Sequence, residues 1–434
     1  MFRYQFYKRF RYGLLCLIWM SISVFHGGAA DQLSLSRDEA ILLAFKSNRP
    51  LRIVSLEVAR AKSKLRWSGR LDNPELELSG SGDGIGLDED ESVYEIAISQ
   101  RFPLTSRLKD EKHLRRHQVI LADAEIAERR RELAGEVDVA IVQLLSTRRK
   151  ITLQGELVTL NNKIVGFLKG RAKVGEASIL DVTQATISGR TLEQQVKTLE
   201  TQEKQQTIAL NRILGVEAGT SITLVNRIDL PGKRPDEEHN AGDILSRRPD
   251  HVLALAKIDE ADAAVALENA KRWEDVSVKL FLEREKAVDD PNGLERNTFA
   301  GVGISIPLPL RNKNQNGIET AQINRKAAEK GVDAAQFQIR SEYEAAYQQR
   351  IDTWELARSA SGELLDLAEN NLEEFRKAQQ QGQASLLQVQ QAQEQVLQLK
   401  NASLDLTTQY HLAAAKLRKA IGAYPGLDTA ISRK

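Results

Sequence analysis

The fold of this chain is decided by two stretches of one pattern, V-G-E-A-S-I-L-D-V-T-Q-A at residues 174–185 and Q-G-Q-A-S-L-L-Q-V-Q-Q-A at residues 381–392. Their glycine, alanine, serine, leucine and valine positions coincide at a constant offset of 207 residues. The offset holds without a gap as far as the pair Gly215 and Gly422. An ungapped match of this length indicates an internal duplication of a unit of about two hundred residues.

Each copy of the pattern predicts the tip of a helical hairpin. Apolar residues recur around it at spacings of three and four, and proline is absent from residues 104–230 and 310–424. Residues 105–168, if helical throughout, would extend about 96 Å at the standard rise. Helices of this length that return at a tip indicate antiparallel coiled-coil packing. Gly135 and Gly155 are candidate weak points in the first of them.

The sequence period changes from helical to two in one region of each half. Residues 75–79 and 94–102 alternate between apolar and polar side chains in the first half, and residues 276–283 and 299–306 do so in the second. Such alternation is typical of half-buried strands. We therefore predict one strand hairpin per half and four strands in all, with the hairpins at about residues 74–102 and 275–307.

Residues 1–30 have the features of a secretory signal peptide. Basic residues begin the chain, an apolar run extends from Leu14 to Phe25, and small residues precede a cleavage site after Ala30. The run is shorter than the roughly 20 apolar residues that span a bilayer. The single cysteine, Cys16, lies inside this segment. We therefore expect an exported mature protein with no disulfide and no thiolate metal site.

The duplication divides the mature chain into two repeats, residues 31–229 and 241–422, with a linker at 230–240 and a tail at 423–434. Acidic and basic residues nearly balance, at 60 Asp+Glu and 61 Lys+Arg, so we expect no nucleic acid partner. No arrangement of a nucleophile with a base can be recognised. We expect neither enzymatic activity nor a cofactor.

Two shorter segments also repeat. Ser-Arg-Arg-Pro at residues 246–249 resembles Ser-Asn-Arg-Pro at residues 47–50, and Trp273 corresponds to Trp67, each tryptophan shortly before the first predicted strand of its half. Tryptophan is enriched where a protein crosses the membrane surface, although it also packs at helix ends in soluble proteins. The duplication thus extends upstream of the strands.

Four strands cannot close a barrel alone in lipid, because open strand edges leave backbone groups without hydrogen-bond partners. Outer-membrane barrels begin at eight strands, which a dimer would supply, whereas a trimer would supply twelve. In such a barrel we expect the apolar strand positions to face lipid, namely Leu76, Leu78, Ile96, Ile98, Val276, Val278, Leu280, Val302 and Ile304.

The duplication, the strand hairpins and the G-x-A-S tips followed by L-D-V-x-x-A or L-Q-V-x-x-A resemble the TolC family of outer-membrane efflux channels. The resemblance covers essentially the whole mature chain. Two short segments, I-S-I-P-L-P-L-R-N-K-N at residues 304–314 and I-S-Q-R-F-P-L at residues 98–104, resemble the CzcC-like branch, which accompanies heavy-metal efflux pumps.

The resemblance implies an α+β membrane protein that forms a homotrimer surrounded by outer-membrane lipid. Its four strands per chain would contribute to a shared twelve-strand β-barrel in the outer membrane. Its long antiparallel coiled-coil helices would form an α-barrel in the periplasm. The channel would passively conduct substrate, divalent heavy-metal cations in this branch, from an inner-membrane RND-type pump and a periplasmic adaptor to the outside.

The adaptor would dock on the two helical tips. Small residues there allow another helical hairpin to approach closely, although they also suit a tight turn with no partner. The residues concerned are Val174, Gly175, Glu176, Ala177 and Ser178 in the first repeat and Gln381, Gly382, Gln383, Ala384 and Ser385 in the second.

The resemblance also draws attention to the aperture beside the second tip. Carboxylates that ring the closed aperture in well-known members are replaced here by Gln388 and Gln391. Asp181, the equivalent of Gln388 in the first repeat, is the remaining carboxylate and would supply three acids in a trimer. We expect an amide ring to open more readily than an acidic one.

His113 and His117 are the one candidate metal pair. They lie four residues apart on a predicted helix, a spacing that can hold a metal ion on one face. Lys112, Arg115 and Arg116 surround them, which disfavours a cation, and no third ligand is evident. A solvated pair is the better interpretation.

Three functions remain open at this point: a channel for divalent metal cations, a TolC-like channel for drugs, other small molecules or secreted protein, and a periplasmic coiled-coil adaptor or scaffold without a membrane barrel. The alternating strands distinguish the channels from the scaffold, because a scaffold has no reason to present an apolar strand face. Metal as the substrate rests on resemblance alone.

Overall fold

A computed structural model of the protein describes residues 32–82, 91–235, 238–289 and 293–427. The predicted signal peptide and most of the predicted tail lie outside the described residues. In chain order the elements are β1 (Gln32–Leu35), α1 (Arg37–Ser47), α2 (Arg49–Trp67), β2 (Glu75–Gly82), β3 (Ser92–Phe102), α3 (Arg107–Lys173), α4 (Ile179–Leu214), β4 (Ser221–Leu224), α5 (Ala241–Arg247), α6 (Pro249–Ala270), β5 (Val276–Asp289), β6 (Gly293–Ser305), α7 (Gln315–Ala360), α8 (Glu363–Gln380) and α9 (Leu386–Ile421).

The long helices differ in continuity between the two repeats. Helix α3 has 67 residues, about 100 Å at the standard rise, and is continuous at both Gly135 and Gly155. The expectation of weak points at these glycines is therefore wrong. In the second repeat Ser361 and Gly362 separate α7 from α8. Gly362 corresponds to Gly155 at the offset of 207 residues, so equivalent glycines continue one helix and interrupt the other.

The two helical hairpins also differ in packing. In the second hairpin α8 and α9 bury an apolar seam that includes Leu372, Val389 and Val396. In the first, a buried amide replaces part of the seam: Asn161 Nδ2 donates to the carbonyl of Ala185 at 3.0 Å. Polar side chains buried between helices are retained where their hydrogen bonds are satisfied.

The main apolar core lies where α1, α3, α4 and the parallel pair β1–β4 meet. It is formed by buried side chains at helical spacing, among them Val137, Ile141 and Leu144 of α3. Helix α1 begins with a capping box, in which the backbone nitrogen of Ser36 donates to Glu39 Oε2 at 2.8 Å. Such a cap fixes the start of the helix locally.

Each repeat contains the same contact, between the glycine that ends its last long helix and the end of its first short helix. Gly215 lies against the carbonyl of Ser47 and Gly422 against that of Arg247. Residue 47 is thus the counterpart of residue 247, and the alignment of residues 47–50 with 246–249 must be shifted by one. The shift follows from the helix starts, because proline is the second residue of α2 and the first of α6.

The remaining strands form a four-stranded antiparallel sheet in the order β2-β3-β5-β6. Each half supplies one hairpin, and β3 pairs with β5 across the two halves, from Ser92–Lys286 to Phe102–Val276. The strand ends at Gly82 and Ser92 and at Asp289 and Gly293, where the chain turns back in each hairpin, lie at one end of this sheet, and the other end continues into the helices. Within the described ranges, no helix combines the length and the apolar character needed for a membrane span.

Candidate functional sites: a two-faced sheet and two helical tips

One face of the four-stranded sheet is apolar and exposed. The strands pair in continuous register, so side chains on this face form rows across all four strands. The central row consists of residues between 53% and 65% exposed, namely Leu76, Ile98, Leu280 and Val302. The adjoining rows contain Leu78, Ile96 and Leu282 towards the turns, and Val278 and Ile304 towards the helices.

The predicted lipid-facing residues therefore share one face of one sheet, with one exception. Val276 is only 8% exposed. It is the first residue of β5 and directly follows Asp275. Asp275 forms an ion pair with Arg107, the first residue of α3. Val276 thus belongs to the junction with the helices and not to the exposed apolar face.

The opposite face of the sheet is polar and rich in carboxylates. Lys279 Nζ lies 3.0 Å from Glu77 Oε2 and 2.6 Å from Glu95 Oε1. The cations that this face carries within the described strands are Lys279 and Arg101, against Glu75, Glu77, Glu95, Glu283, Glu285 and Glu295. An excess of carboxylates on a wall raises the local concentration of cations.

Aromatic side chains mark both ends of the sheet. Trp67 and Trp273 are 60% and 45% exposed just before β2 and β5, at the end where the strands meet the helices. Tyr94 is 43% exposed near the end with the turns, and its ring packs against Gly80. Exposed aromatic residues flanking an apolar band are typical of proteins that cross a membrane.

A glycine makes room for an aromatic ring on the polar face. Phe281 of β5 lies over Gly301 of β6, where any side chain would collide with the ring. Glycine within a strand commonly marks such a close approach. Gly301 thus has a packing role.

The first tip is a tight turn between α3 and α4. Gly175 has a φ of 79°, a left-handed conformation that glycine adopts without strain. The backbone nitrogen of Glu176 donates to the carbonyl of Arg171 at 2.9 Å, and Ser178 Oγ accepts from the backbone nitrogen of Leu180 at 3.1 Å. Ile179 and Leu180 are each 75% exposed directly after the turn. The tip therefore presents a small-residue turn beside two exposed apolar side chains.

The second tip repeats this turn between α8 and α9. Gly382 has a φ of 74°, and the backbone nitrogen of Gln383 donates to the carbonyl of Ala378 at 2.8 Å. Ser385 forms a capping box with Gln388: the backbone nitrogen of Ser385 donates to Gln388 Oε1 at 2.8 Å. Both tips thus have the same backbone path and the same exposed end.

The candidate aperture residues have different surroundings. Gln388 is held in the capping box with Ser385. Its counterpart Asp181 is exposed, because in the first repeat Ser178 accepts from the backbone nitrogen of Leu180 and forms no capping box with Asp181. Gln391 lines a groove between the two hairpins together with Leu157, Gln184, Ile187 and Leu397. Gln391, and not Gln388, thus lines the groove between the hairpins.

His113 and His117 are brought together on α3, with their Nε2 atoms 3.4 Å apart. Among the residues that the structure describes, no group of three or more histidine, cysteine, aspartate or glutamate side chains could hold a metal ion. Gln118, beside the pair, donates to Glu260 of α6 at 3.0 Å. The geometry adds no third ligand to the pair.

Sequence reasoning missed two buried ionic groups, a pair that joins the two repeats and a network around Arg248 within the second repeat. Asp138 of α3 is fully buried and accepts two hydrogen bonds from Arg418 of α9, at 2.8 and 2.9 Å. Arg248 is also fully buried and donates to Asp250, to Glu342 and to a carbonyl of α9. An aspartate between two valines of a helix was the only signal for the first pair.

The surroundings of Arg248 shift the pKa values of Asp250 and Glu342. Burial alone would raise the pKa of Asp250, but the hydrogen bonds and positive charge of Arg248 more than offset it, and the pKa is lowered. The same balance, with a further hydrogen bond from Gln338, lowers the pKa of Glu342. The pKa of Arg248 is raised in turn. All three groups are therefore charged at neutral pH.

A duplicated chain with two long helical hairpins and a sheet that is apolar on one face and acidic on the other defines the class of outer-membrane channels that reach into the periplasm. The chain belongs to the outer membrane efflux protein family, whose model matches residues 40–216 and 240–423. The predictions of a TolC-like efflux protein, of its fold and of its place in the outer membrane are confirmed. Transport, and not catalysis, is its class of function.

Individual relatives agree with this assignment. The chain is 22% identical over 300 residues to the cobalt-zinc-cadmium resistance protein CzcC of Cupriavidus metallidurans, covering 69% of this chain and 68% of that protein. A membrane protein from Pseudomonas aeruginosa superposes with a TM-score of 0.71 and 17% identity, over 89% of this chain and 93% of its own. CusC, studied for transmembrane channel formation, superposes with a TM-score of 0.70 and 18% identity, over 92% and 95%.

Proposed function

We propose that the protein is the outer-membrane duct of a tripartite efflux system for divalent heavy-metal cations. The carboxylate-rich face of its sheet is the observation that carries this proposal, because it would line the lumen of a barrel whose other face meets lipid. A lumen with excess negative charge favours cations over neutral and anionic solutes. The likeness to CzcC, a cobalt-zinc-cadmium resistance protein, supports the same class of substrate.

The proposed assembly is a homotrimer with a twelve-strand barrel. The described sheet ends in β2 on one side and β6 on the other, so one chain has two unpaired edges. Unpaired backbone groups are not tolerated in lipid, and pairing β6 of one protomer with β2 of the next would remove both edges. The aromatic residues at each end of the sheet support a membrane position between them.

The proposed partners are a periplasmic adaptor and an inner-membrane RND-type pump. The tips at Gly175 and Gly382 have the same backbone path and exposed small residues, which suits docking by a helical hairpin of the adaptor. Gln391 and Asp181 are the proposed aperture residues, and Gln388 has a second role as a helix cap. The pump supplies the energy, because a passive duct only conducts what is delivered to it.

A strain lacking the gene tests this proposal. We expect it to be sensitive to one or more of zinc, cobalt, cadmium, nickel and copper, with the same metal accumulating in the cells, and to be rescued by the wild-type gene. Its tolerance of a panel of drugs and detergents should be unchanged. Sensitivity to drugs alone would retain the channel and refute metal as its substrate.

A further inference from the structure

The pairing of β3 with β5 inside the sheet has a counterpart at the two outer edges of the sheet. Strand β3 is the second strand of its hairpin, and it pairs with β5, the first strand of the other hairpin. At the edges, β6 is likewise a second strand and β2 a first strand, and within the described residues neither has a partner on its outer side. Because the hairpins belong to duplicated halves, the internal junction of β3 with β5 shows how β6 would meet β2 of another copy of the chain.

The sequence aligns the second strands of the two hairpins. I-S-Q-R-F-P-L at residues 98–104 corresponds to I-S-I-P-L-P-L at residues 304–310, which makes Ile304 the counterpart of Ile98. Both segments end in proline and leucine, and the chain enters a long helix shortly after each of them.

The strand pairing aligns the first strands of the hairpins. Leu78 of β2 and Leu280 of β5 each lie directly opposite the residue that comes two positions before the aligned isoleucine. Leu78 and Leu280 are therefore counterparts. At the internal junction Ile98 lies directly opposite Leu280. The same register at the edges places Ile304 opposite Leu78 of a second copy.

Side chains beside the unpaired edges are more exposed than their counterparts beside the internal junction. The pairs are Leu308 and Phe102 at 66% and 43%, Leu310 and Leu104 at 79% and 55%, and Trp67 and Trp273 at 60% and 45%. The more exposed member of each pair follows β6 or precedes β2. The extra exposure is therefore confined to the places where a single chain has no equivalent of the strand that covers the internal junction.

The register also brings small residues together on the polar face. It places Gly301 and Gly303 of one copy opposite Ser81 and Ser79 of the next. The ring of Phe281 already occupies the space beside Gly301. Small residues across the boundary leave this ring in place, and in these rows they set no like charges opposite each other, which would destabilise the sheet.

We propose that β6 of one protomer pairs with β2 of the next in the register that places Ile304 opposite Leu78. Residues 306–310 continue this contact against residues 67–74 of the next protomer, so that the exposed apolar side chains after β6 are covered by that copy. The apolar face then extends around the assembly without a break. The proposal rests on the proposed homotrimer and adds to it the register and the contacting segments.

Disulfide cross-linking tests this register, because a disulfide requires Cβ atoms that lie about 3.5–4.5 Å apart. Cys16, the one cysteine of the chain, is replaced by serine in every variant. We expect I304C/L78C in outer membranes to give covalent dimers and trimers on a non-reducing gel. I304C/L76C, displaced by two residues, should give almost none, because diagonal residues on paired strands are about 7–8 Å apart.

The matched control is I98C/L280C, which places the same two cysteines at the internal junction. It should form a bond within one chain, detected by peptide mass, and no covalent dimers. Cross-linking of I304C/L76C in preference to I304C/L78C, or of neither while the control bond forms, would overturn the register even if the wild type is a trimer by light scattering. A monomeric wild type would refute the homotrimer and the register together.

Discussion

Asn48 and Arg248 show how duplicated positions diverge. Both precede a helix at the junction of their repeat, and both donate to an equivalent carbonyl, Asn48 to that of Ile213 at 2.8 Å and Arg248 to that of Ala420 at 2.9 Å. Asn48 completes its bonding as a local cap, by accepting from the backbone nitrogen of Leu51. Arg248 carries a charge and therefore needs the carboxylates of the buried network.

We expect Arg248→Met to lower the free energy of unfolding by about 3–5 kcal/mol, because it leaves Asp250 and Glu342 without their partner. Asn48→Ala, which removes a cap and one hydrogen bond, should cost about 1–2 kcal/mol. Denaturant unfolding of the purified protein measures both. Adding Asp250→Asn and Glu342→Gln to the methionine variant should recover much of the loss. A methionine variant as stable as Asn48→Ala would contradict a coupled network.

The same network sets an acid limit on stability. The pKa values of Asp250 and Glu342 lie below the usual 3.8 and 4.5. A carboxylate with a lowered folded-state pKa contributes stability above its usual pKa, and that contribution is lost as the pH falls through the folded-state value. The wild type should thus lose this stabilisation only below about pH 4.

At the scale of elements, the sheet is the part that the sequence predicted most fully. Period-two alternation is a local signal, so the strands and their exposed faces could be found in the sequence. The pairing of β3 with β5 could not, because it joins segments that no short turn connects. The burial of Val276 was also not predicted, because it lies where the sheet meets the helices and this contact is not local in sequence.

Val302→Arg tests the orientation of the sheet. Val302 lies in the central apolar row and is 65% exposed. An arginine near the midplane of a membrane should cost about 2–4 kcal/mol, and less towards the surface. Asn297→Arg, on the same strand but on the polar face directly opposite Glu285, is the matched control. Heat-modifiable migration of membrane extracts should reveal a defect in the first variant only, and equal behaviour of the two would exclude a lipid-facing role for Val302.

The helices were predicted well in outline and poorly in detail. The absence of proline predicted their length, and the G-x-A-S pattern predicted both turns. A weak point was expected at Gly155, which lies in an unbroken helix, whereas the break occurs at its counterpart Gly362. Glycine permits either outcome, and packing against neighbouring helices decides between them.

The tips can be tested separately from the fold. We expect Ala177→Glu and Ala384→Glu each to abolish metal export while leaving oligomers in the outer membrane, because a bulky charge would prevent close approach of an adaptor hairpin. Cross-linking to the adaptor should be lost in parallel. Gln383→Glu adds a charge to the second tip without changing the length of the side chain, and therefore controls for the effect of charge without added bulk. Loss of oligomers in the alanine variants would show that the tips serve folding.

At the scale of the whole molecule, the two repeats contribute unequally to one duct. The first provides an unbroken α3 and a buried amide in its hairpin, and the second provides an interrupted helix and an apolar seam. Duplication predicted the symmetry but not these differences, which accompany sequence differences between the copies, such as Asn161 at the position of Ala368. The faces of the shared sheet, apolar on one side and acidic on the other, connect the architecture to the proposed substrate.

The most direct measurement is the ion selectivity of the purified protein in a planar lipid bilayer under a salt gradient. We predict discrete conductance steps with a reversal potential that shows preference for cations. E283Q/E285Q/E295Q should reduce that preference, and R284Q/K286Q/R296Q, on the other face of the same strands, should leave it unchanged. Inserted oligomers that conduct anions preferentially, or that do not conduct at all, would contradict a cation duct.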